Sequence, residues 1–229
     1  MLSPMPRLSP TPASPPAPGP VTALRENPRR AGRYVVEVAG DAIGPVSAEV
    51  IAELGLRIGR VLDEPMLTRL IAAARAVACY DKALDALARR SRPRVDLGRW
   101  LRLRDFSAAE IEPALDKLTD LGLLDDHAFA RGFAQSRIVG RGFGRRRVAA
   151  ELARRGVDRA VVDEVLAELS AQLDQSEPEA MMKAAEKRAR SLGKLEPAVA
   201  QRRLYGWLVR RGYDSREALD MARRLFPGR

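Results

Sequence analysis

The chain has 229 residues, a formal net charge of +10 and only 5 % aromatic residues. This charge favours polyanionic partners, either nucleic acid or a protein that coats nucleic acid, and disfavours basic partners. Because large rings are so few, the core must be built from Leu, Val, Ile and Ala, which suits packed helices better than a sheet sandwich.

The N-terminal part of the chain predicts a tail and a small cap. Nine of the sixteen prolines fall within the first 30 residues, which lack periodic apolar residues. Residues 1–32 are therefore expected to form a disordered, Pro-rich tail with polyproline-II bias. Residues 33–77 predict a small α+β cap, because Tyr34 to Val38 is β-prone and Ser47 can begin a helix.

Residues 78–229 contain one helical unit three times. Leu101, Leu152 and Leu208 are equivalent, with offsets of 51 and 56 residues, and the neighbouring apolar positions keep the same register. A period near fifty residues is typical of arrays in which each unit completes the core of its neighbour. The expected boundaries of the three-helix repeats are 78–125, 126–175 and 176–229.

The predicted fold class is mainly α, an elongated tandem array of three three-helix repeats preceded by the cap and the tail. In the first repeat, Tyr80 to Arg90 is expected to form a separate first helix. Ser107 and Glu110 have the spacing of a capping box for the third helix. Asp125 and Asp126 are both interpreted as caps at the start of the second repeat.

Positive charge is concentrated in the second and third repeats. Residues 137–160 contain eight arginines and two acidic residues, and residues 183–211 contain nine basic and two acidic residues. A charge run is often just a solvated helix face, but an excess of one sign over two successive repeats favours a binding surface. We expect contacts with a partner protein or nucleic acid at Arg141, Phe143, Arg145, Arg146, Arg147, Arg154, Arg155, Arg202, Arg203, Arg210 and Arg211.

The loop around Phe143 has two open interpretations. Arg141-Gly142-Phe143-Gly144 matches the opening of the RNP1 box of RNA-recognition domains, but three arginines follow where that box needs an apolar strand. The three glycines of the loop also lack the spacing of a dinucleotide fingerprint. The loop is either a flexible connection between helices or a segment that presents Phe143 to a partner.

The sequence contains no recognisable catalytic or metal-binding motif. The single histidine, His127, follows two capping aspartates and is expected to be a surface residue. No cluster of His, Cys or acidic residues has metal-ligand spacing along the chain. We therefore expect no catalytic residue, metal or cofactor, and predict that the protein is not an enzyme.

Several features predict the compartment. The single cysteine, Cys79, excludes an intramolecular disulfide framework and indicates a reducing compartment. Arg75 interrupts the apolar stretch from Leu70 to Ala78, so no run approaches the roughly 20 residues that a membrane span needs. The N-terminus lacks the apolar segment of a secretory signal. We expect a soluble, cytoplasmic protein with no membrane partner.

The order and spacing of several segments carry a family pattern: Tyr80-Asp81-Lys82-Ala83-Leu84, Phe106-Ser107, Leu121 to Asp126, Gly142-Phe143-Gly144 and Gly156-Val157-Asp158. Together, over about residues 78–228, they resemble the RecX family of bacterial regulators of the RecA recombinase. The resemblance implies a curved string of three three-helix repeats that binds RecA and lies in the groove of its filament on single-stranded DNA. There it is expected to limit filament extension, strand exchange and ATP hydrolysis.

A competing hypothesis is a sequence-independent DNA-binding or nucleoid-associated protein, because two helices joined by a glycine turn also occur in DNA-reading modules. The two differ in their need for RecA. An inhibitor that acts through protein contacts should bind naked DNA weakly at physiological salt, and we expect such weak direct binding together with a monomeric state.

Overall fold

The computed structural model describes residues 16–172 and 177–227. Within these ranges the chain forms ten α-helices and one sheet, and it divides into two compact units. One unit contains the described residues up to Asp85 together with Leu101–Lys117, and the other contains Ala86–Trp100 and the described residues from Leu118 onward. The predicted class, mainly helical with a small N-terminal sheet, is confirmed.

A four-stranded antiparallel sheet forms the N-terminal part of the described chain. Its strands are β1 (Gly19–Glu26), β2 (Arg33–Val38), β3 (Asp41–Ser47) and β4 (Val61–Leu62). Their order across the sheet is β3-β2-β1-β4. Val36, Val38 and Val46 have no exposed surface, so the β-branched side chains that predicted β2 and β3 also build the core of this unit.

The prediction of a disordered tail over residues 1–32 is wrong for Gly19–Glu26, which forms β1. Pro20 pairs with Val61 of the short strand β4, whereas the proline-free remainder of β1 forms the ladder with β2. Prolines are tolerated at the beginning of a strand, and Val21 is buried in the core of the sheet. Of the rest of the predicted tail, residues 16–18 and 27–32 flank β1, and residues 1–15 lie outside the described residues.

Two helices follow the sheet. Helix α1 (Ala48–Glu53) begins at Ser47, whose hydroxyl accepts a hydrogen bond from the backbone N–H of Val50 at 3.4 Å, as predicted. Helix α2 (Glu64–Arg89) is continuous over 26 residues, so the separate helix predicted from Tyr80 is wrong. The reason is that no glycine or proline interrupts this alanine-rich segment after Pro65. No helix of the described ranges, α2 included, has the length and apolarity to span a bilayer.

Asp81 on α2 holds the sheet within its unit. Its carboxylate accepts three charge-assisted hydrogen bonds from Arg33, the shortest at 2.8 Å, and lies 3.0 Å from a guanidinium nitrogen of Arg30. Asp81 is only 7 % exposed, and a buried carboxylate needs such partners. Asp81, which belongs to the RecX-like segment from Tyr80 to Leu84, therefore has a structural role.

Eight further helices complete the described chain: α3 (Arg94–Arg102), α4 (Ala108–Asp120), α5 (Asp126–Ile138), α6 (Arg145–Arg154), α7 (Arg159–Gln172), α8 (Glu177–Arg190), α9 (Pro197–Arg211) and α10 (Ser215–Leu225). Helices α5, α6 and α7 enclose the core of the second repeat, and α8, α9 and α10 that of the third. The equivalent residues Leu101, Leu152 and Leu208 are all fully buried. The residues that the sequence alignment of the repeats places at this equivalent position are therefore buried in all three repeats.

The two aspartates at the start of the second repeat cap different helices. Asp125 caps α5, as predicted, because its side chain accepts from the N–H of Ala128 at 2.8 Å. Asp126 instead accepts from the N–H of Arg94 at 2.7 Å, at the start of α3 in the first repeat. Burial raises the pKa of Asp126 against the lowering effect of this hydrogen bond. The assignment of both aspartates to α5 is therefore wrong for Asp126.

Candidate basic groove between the second and third repeats

The connection between α5 and α6 is closed by backbone hydrogen bonds. The N–H groups of Gly142 and Phe143 bond back to α5, and the N–H of Gly144 bonds to the carbonyl oxygen of Arg211 in the third repeat at 2.8 Å. Gly142 has a φ of +61°, which favours glycine. At Gly144, a Cβ would collide with the backbone of Gly212. Of the two interpretations of this loop, a flexible connection fits this geometry poorly.

Phe143 lies among arginines and is half-buried. Its ring packs against the core of the second repeat, and the guanidinium carbon of Arg147 lies 4.0 Å from the ring centroid. The corresponding distances for Arg211 and Arg137 are 5.5 and 6.0 Å. Contacts of this kind are cation–π interactions. Phe143 therefore organises neighbouring cations rather than offering a bare ring to a partner.

Two further rings continue this arrangement. Arg137 and Arg155 lie 4.9 and 4.5 Å from the centroid of Phe133, and Arg211 lies 4.2 Å from that of Trp207. We call the set the cation–aromatic cluster: Phe133, Phe143, Trp207, Arg137, Arg147, Arg155 and Arg211. Arg137 and Phe133 were not among the contact residues predicted from the sequence, although their i, i+4 spacing on one helix was a usable signal.

Glu151 supplies negative charge to the cation–aromatic cluster. Its two carboxylate oxygens lie 2.9 Å from Nε of Arg147 and 3.6 Å from Nε of Arg137. Burial alone would raise the pKa of Glu151, but the hydrogen bond from Arg147 and the charges of Arg137, Arg147 and Arg155 outweigh it and lower the pKa. Glu151 occupies the position that tryptophan holds in the first and third repeats, so the second repeat replaces a ring by a carboxylate that binds arginine.

Four of the predicted contact arginines donate to backbone carbonyl oxygens, two of them within the second repeat and two between the second and third repeats. Arg145 donates to the carbonyl oxygen of Leu166 at 3.0 Å, and Arg155 donates to that of Glu151 at 2.9 Å, both within the second repeat. Arg147 donates to the carbonyl oxygen of Arg210 at 2.9 Å, and Arg211 donates to those of Arg141 and Gly142. Burial lowers the pKa of Arg211. These side chains are structural, which a count of charges along the sequence could not reveal.

The other predicted arginines are exposed. Arg146 forms an ion pair with Asp214 at 2.7 Å across the two repeats, although its side chain remains 69 % exposed. The remaining guanidinium groups make no hydrogen bond or ion pair with any residue in the part of the chain that the structure describes. They belong to Arg141, Arg154, Arg202, Arg203 and Arg210.

A groove of about 950 Å³ lies between the α5–α6 loop and α8, with α9 contributing to its lining. Its basic lining residues are Arg141, Arg145, Lys183, Lys187, Arg188 and Arg211, and Glu177 contributes one carboxylate. We call this feature the basic groove. Nε of Arg188 is buried there without a hydrogen-bond partner among the described residues. Lys183, Lys187 and Arg188 were not among the contact residues predicted from the sequence, although all three lie in the basic stretch 183–211.

In the folded chain, His127 lies near two carboxylates. Its Nε2 lies 3.7 Å from Glu168 and 4.0 Å from Glu164, both on α7. The three residues can bring one ligand atom each within 4.8 Å of one another. Spacing along the chain could not predict this, because His127 and α7 are more than thirty residues apart. Glu168 also binds Arg131 at 2.8 Å, so one of the two carboxylates near His127 already has a cationic partner.

Comparison with known proteins identifies the family. Models described as the first, second and third three-helix domains of RecX match residues 79–118, 125–166 and 175–218. Regulatory protein RecX of Mycobacterium sp. (strain KMS) is 36 % identical over 141 residues, which cover 60 % of this chain and 76 % of that protein. Regulatory protein RecX of Thermobifida fusca (strain YX) is 38 % identical over 154 residues, covering 67 % and 79 %.

The fold is also similar to that of a solved structure. A crystal structure of regulatory protein RecX superimposes with a TM-score of 0.71 at 23 % identity, covering 90 % of this chain and 98 % of that one. The three domain matches together span more than half of the chain and follow one another in order. This chain therefore belongs to the RecX family.

Proposed function

We propose that the protein regulates the RecA recombinase. It binds RecA and the RecA filament on single-stranded DNA, and thereby limits filament extension, strand exchange and coupled ATP hydrolysis. Family membership and the relatives named as regulatory proteins support this proposal. The observation that carries it is a set of five exposed arginines without internal partners, spread over two successive repeats: Arg141, Arg154, Arg202, Arg203 and Arg210.

Exposed guanidinium groups without internal partners are suited to this task. They bind carboxylates or phosphates without first breaking an intramolecular ion pair, and their planar donors can bind both anions bidentately. Positive charge on two adjacent repeats also steers the protein toward a polyanionic assembly. A protein that contacts two neighbouring filament subunits in this way would oppose the addition of further subunits.

The predicted contact residues divide into two groups under this proposal. The exposed arginines make the contacts, and Arg146 can join them by exchanging its ion pair with Asp214. Arg147 and Arg211 link the second repeat to the third, whereas Phe143, Arg145 and Arg155 stabilise the second repeat itself. A charge reversal in this second group would disturb the fold and would not test binding.

The decisive variant is therefore the double reversal R202E/R203E on α9. Inhibition of RecA ATP hydrolysis on single-stranded DNA is measured against protein concentration. We expect half-inhibition to require at least about tenfold more of the variant, a change of about 1.4 kcal/mol in binding free energy. The matched control, R216E/R223E, makes the same charge change on exposed positions of α10 in the same repeat. Unchanged inhibition by R202E/R203E, or equal losses in both variants, would contradict the proposed contact surface.

Sequence-independent DNA binding is the second candidate function, and the basic groove is the observation that favours it. Retention of the protein on immobilised RecA without DNA separates the two functions. Retention on RecA alone at physiological salt supports RecA regulation. Retention on naked DNA that is unaffected by RecA supports the alternative. We expect the protein to act as a monomer in either case.

A further inference from the structure

One histidine and two glutamates of the second repeat meet at the surface between two helices. His127 lies in the first turn of α5, and Glu164 and Glu168 lie on α7. Each side chain can offer one ligand atom, and these three atoms lie within 4.8 Å of one another. None of the three residues lines the basic groove. Because the donors come from two helices, a cation bound between them would link those helices.

The distances between the donor atoms are close to those of a tetrahedral metal centre. Nε2 of His127 lies 3.7 Å from a carboxylate oxygen of Glu168 and 4.0 Å from one of Glu164. Around a zinc ion with bonds of about 2.0–2.2 Å, tetrahedral ligand atoms lie about 3.4 Å apart. All three side chains are at least partly exposed, so small rotations can close this difference without moving the backbone.

The core of the second repeat fixes the backbone positions of the three donors. Glu164 and Glu168 are four residues apart, so they lie on the same face of α7. Ala134 of α5 and Val165 of α7 are buried in the core that both helices share. A cation therefore meets donors on a preformed scaffold, and less conformational freedom is lost on binding.

The local charge favours a cation at this place in a protein of net charge +10. Asp125 and Asp126 directly precede His127, and their negative charges offset the positive end of the α5 dipole. The competing cation is Arg131, which binds Glu168 at 2.8 Å and whose side chain is half exposed. Exposed ion pairs are weak, so a divalent ion can displace Arg131 from this carboxylate.

We propose that His127, Glu164 and Glu168 bind a zinc ion that clips α5 to α7. One imidazole nitrogen with two carboxylates is a donor set that suits zinc, whereas magnesium and calcium prefer oxygen ligands alone. Water takes the fourth tetrahedral position, as in other zinc sites with three protein ligands. The ion stabilises the second repeat because the three donors are brought together only in the folded chain.

Calorimetric titration of the full chain, purified without a histidine tag, with zinc chloride tests the site. H127Q, E164Q and E168Q each remove one ligand, and each should weaken zinc binding at least about tenfold. The matched control is D163N, which removes the same charge as E164Q from the neighbouring position of α7. The two side chains are similarly exposed, at 66 % for Asp163 and 63 % for Glu164. D163N should bind zinc nearly as tightly as the wild-type protein.

Nuclear magnetic resonance identifies the bound atom directly. His127 is the single histidine of the sequence, so the imidazole nitrogen signals of the protein belong to this residue. Saturating zinc should shift the signal of Nε2. R131A frees Glu168 from its competing partner and should bind zinc more tightly than the wild-type protein. An unchanged Nε2 signal, or zinc binding in R131A that is no tighter than in wild type, would overturn the proposal.

Thermal unfolding tests the effect on the fold. Zinc should raise the melting temperature of the wild-type protein and leave that of H127Q unchanged, and magnesium at the same concentration should raise neither. Absence of zinc binding by the wild-type protein would overturn the site. Equal losses of affinity in E164Q and D163N would overturn it too, because they would show only general attraction to acidic charge. An equal effect of magnesium and zinc would remove the histidine from the site.

The site shares no residue with the exposed arginines of the proposed function. Inhibition of RecA by zinc-free protein is measured in parallel, so that the two proposals can fail separately. Normal inhibition by H127Q together with loss of zinc binding supports both proposals. Normal zinc binding in H127Q overturns the metal site and leaves the proposed function standing.

Discussion

The carboxylate of Glu177 accepts a hydrogen bond from the backbone N–H of Arg145 and so caps α6 from the first residue of α8, in the next repeat. Asp126 caps α3 in the same way through the N–H of Arg94. In both pairs the bonded residues are 32 positions apart, and the pairs are 51 positions apart along the chain, since 145 minus 94 and 177 minus 126 both give 51. Helix α9 is capped by its own Glu196. The second helices of the first two repeats therefore depend on the repeat that follows.

Removal of this cap is expected to destabilise the protein. E177A leaves the N–H of Arg145 without its side-chain acceptor, and the loss of a helix cap costs about 0.5–2 kcal/mol. Urea unfolding followed by circular dichroism measures the change. E186A removes a carboxylate from an exposed position of the same helix and should leave the midpoint nearly unchanged. Equal midpoints for the two variants would show that the cap contributes nothing.

Glu151 should make stability depend on acid pH. Burial raises its pKa, but the hydrogen bond from Arg147 and the neighbouring guanidinium charges lower it further, so the folded protein binds this proton less readily than the unfolded chain. Its contribution is therefore present above the unfolded pKa of about 4.3 and is lost as pH falls through the lower folded value. We expect E151Q to be less stable than wild type at pH 7 and the difference to shrink below about pH 4.3. A constant difference between pH 7 and pH 3 in urea unfolding would contradict this.

Replacement of Arg147 by lysine should lower the stability of the protein. R147K keeps the charge but loses the planar group that binds Glu151, donates to the carbonyl oxygen of Arg210 and stacks on Phe143. We expect a loss of about 1 kcal/mol in unfolding free energy. R202K makes the same exchange at an exposed position and should change stability by less than about 0.5 kcal/mol. The arrangement of the cation–aromatic cluster is refuted if both variants unfold at the same urea concentration.

Two glycine substitutions should act in opposite directions. G144A places a Cβ against the backbone of Gly212 and should destabilise the contact between the second and third repeats. G132A lies inside α5 with no atom within 4 Å of the added Cβ, so it should stabilise the helix by about 0.5–1 kcal/mol. Thermal unfolding of both variants tests this prediction. A melting temperature that rises in G144A would exclude the close backbone approach.

Cys79 should react only after unfolding. The thiol is fully buried on α2, and burial raises its pKa to about 11, so little reactive thiolate exists at neutral pH. We expect a disulfide reagent to label the native protein slowly at pH 7.5 and the urea-unfolded protein at the rate of a free thiol. Equally fast labelling in both states would place Cys79 at the surface. The burial of Cys79 indicates a structural thiol rather than a reactive one.

The repeat register could be predicted from the sequence because apolar residues at fixed offsets must be buried together. Leu101, Leu152 and Leu208 illustrate this. Strand β1 was missed since prolines before and at its start resemble a disordered segment, and pairing with β2 depends on residues 8 to 17 positions away. The continuous helix α2 was divided in two because repeat boundaries were inferred from similarity, whereas helices end where the backbone is interrupted.

The site was predictable in its charge and not in its geometry. Counting arginines predicted a basic surface on the second and third repeats, but it could not distinguish Arg147, which donates inward, from Arg202, which is exposed. The basic groove joins the loop after α5 to α8, segments about forty residues apart, so Lys183 and Lys187 meet Arg141 only in the folded chain.

The cap that Glu177 provides has a consequence for protein engineering. A chimera that exchanges the third repeat for that of a relative also exchanges the acceptor for the upstream helix. Donor segments with an acidic residue at the position of Glu177 should therefore keep the first turn of the host's α6 capped. Donors with alanine or lysine there should leave this turn frayed.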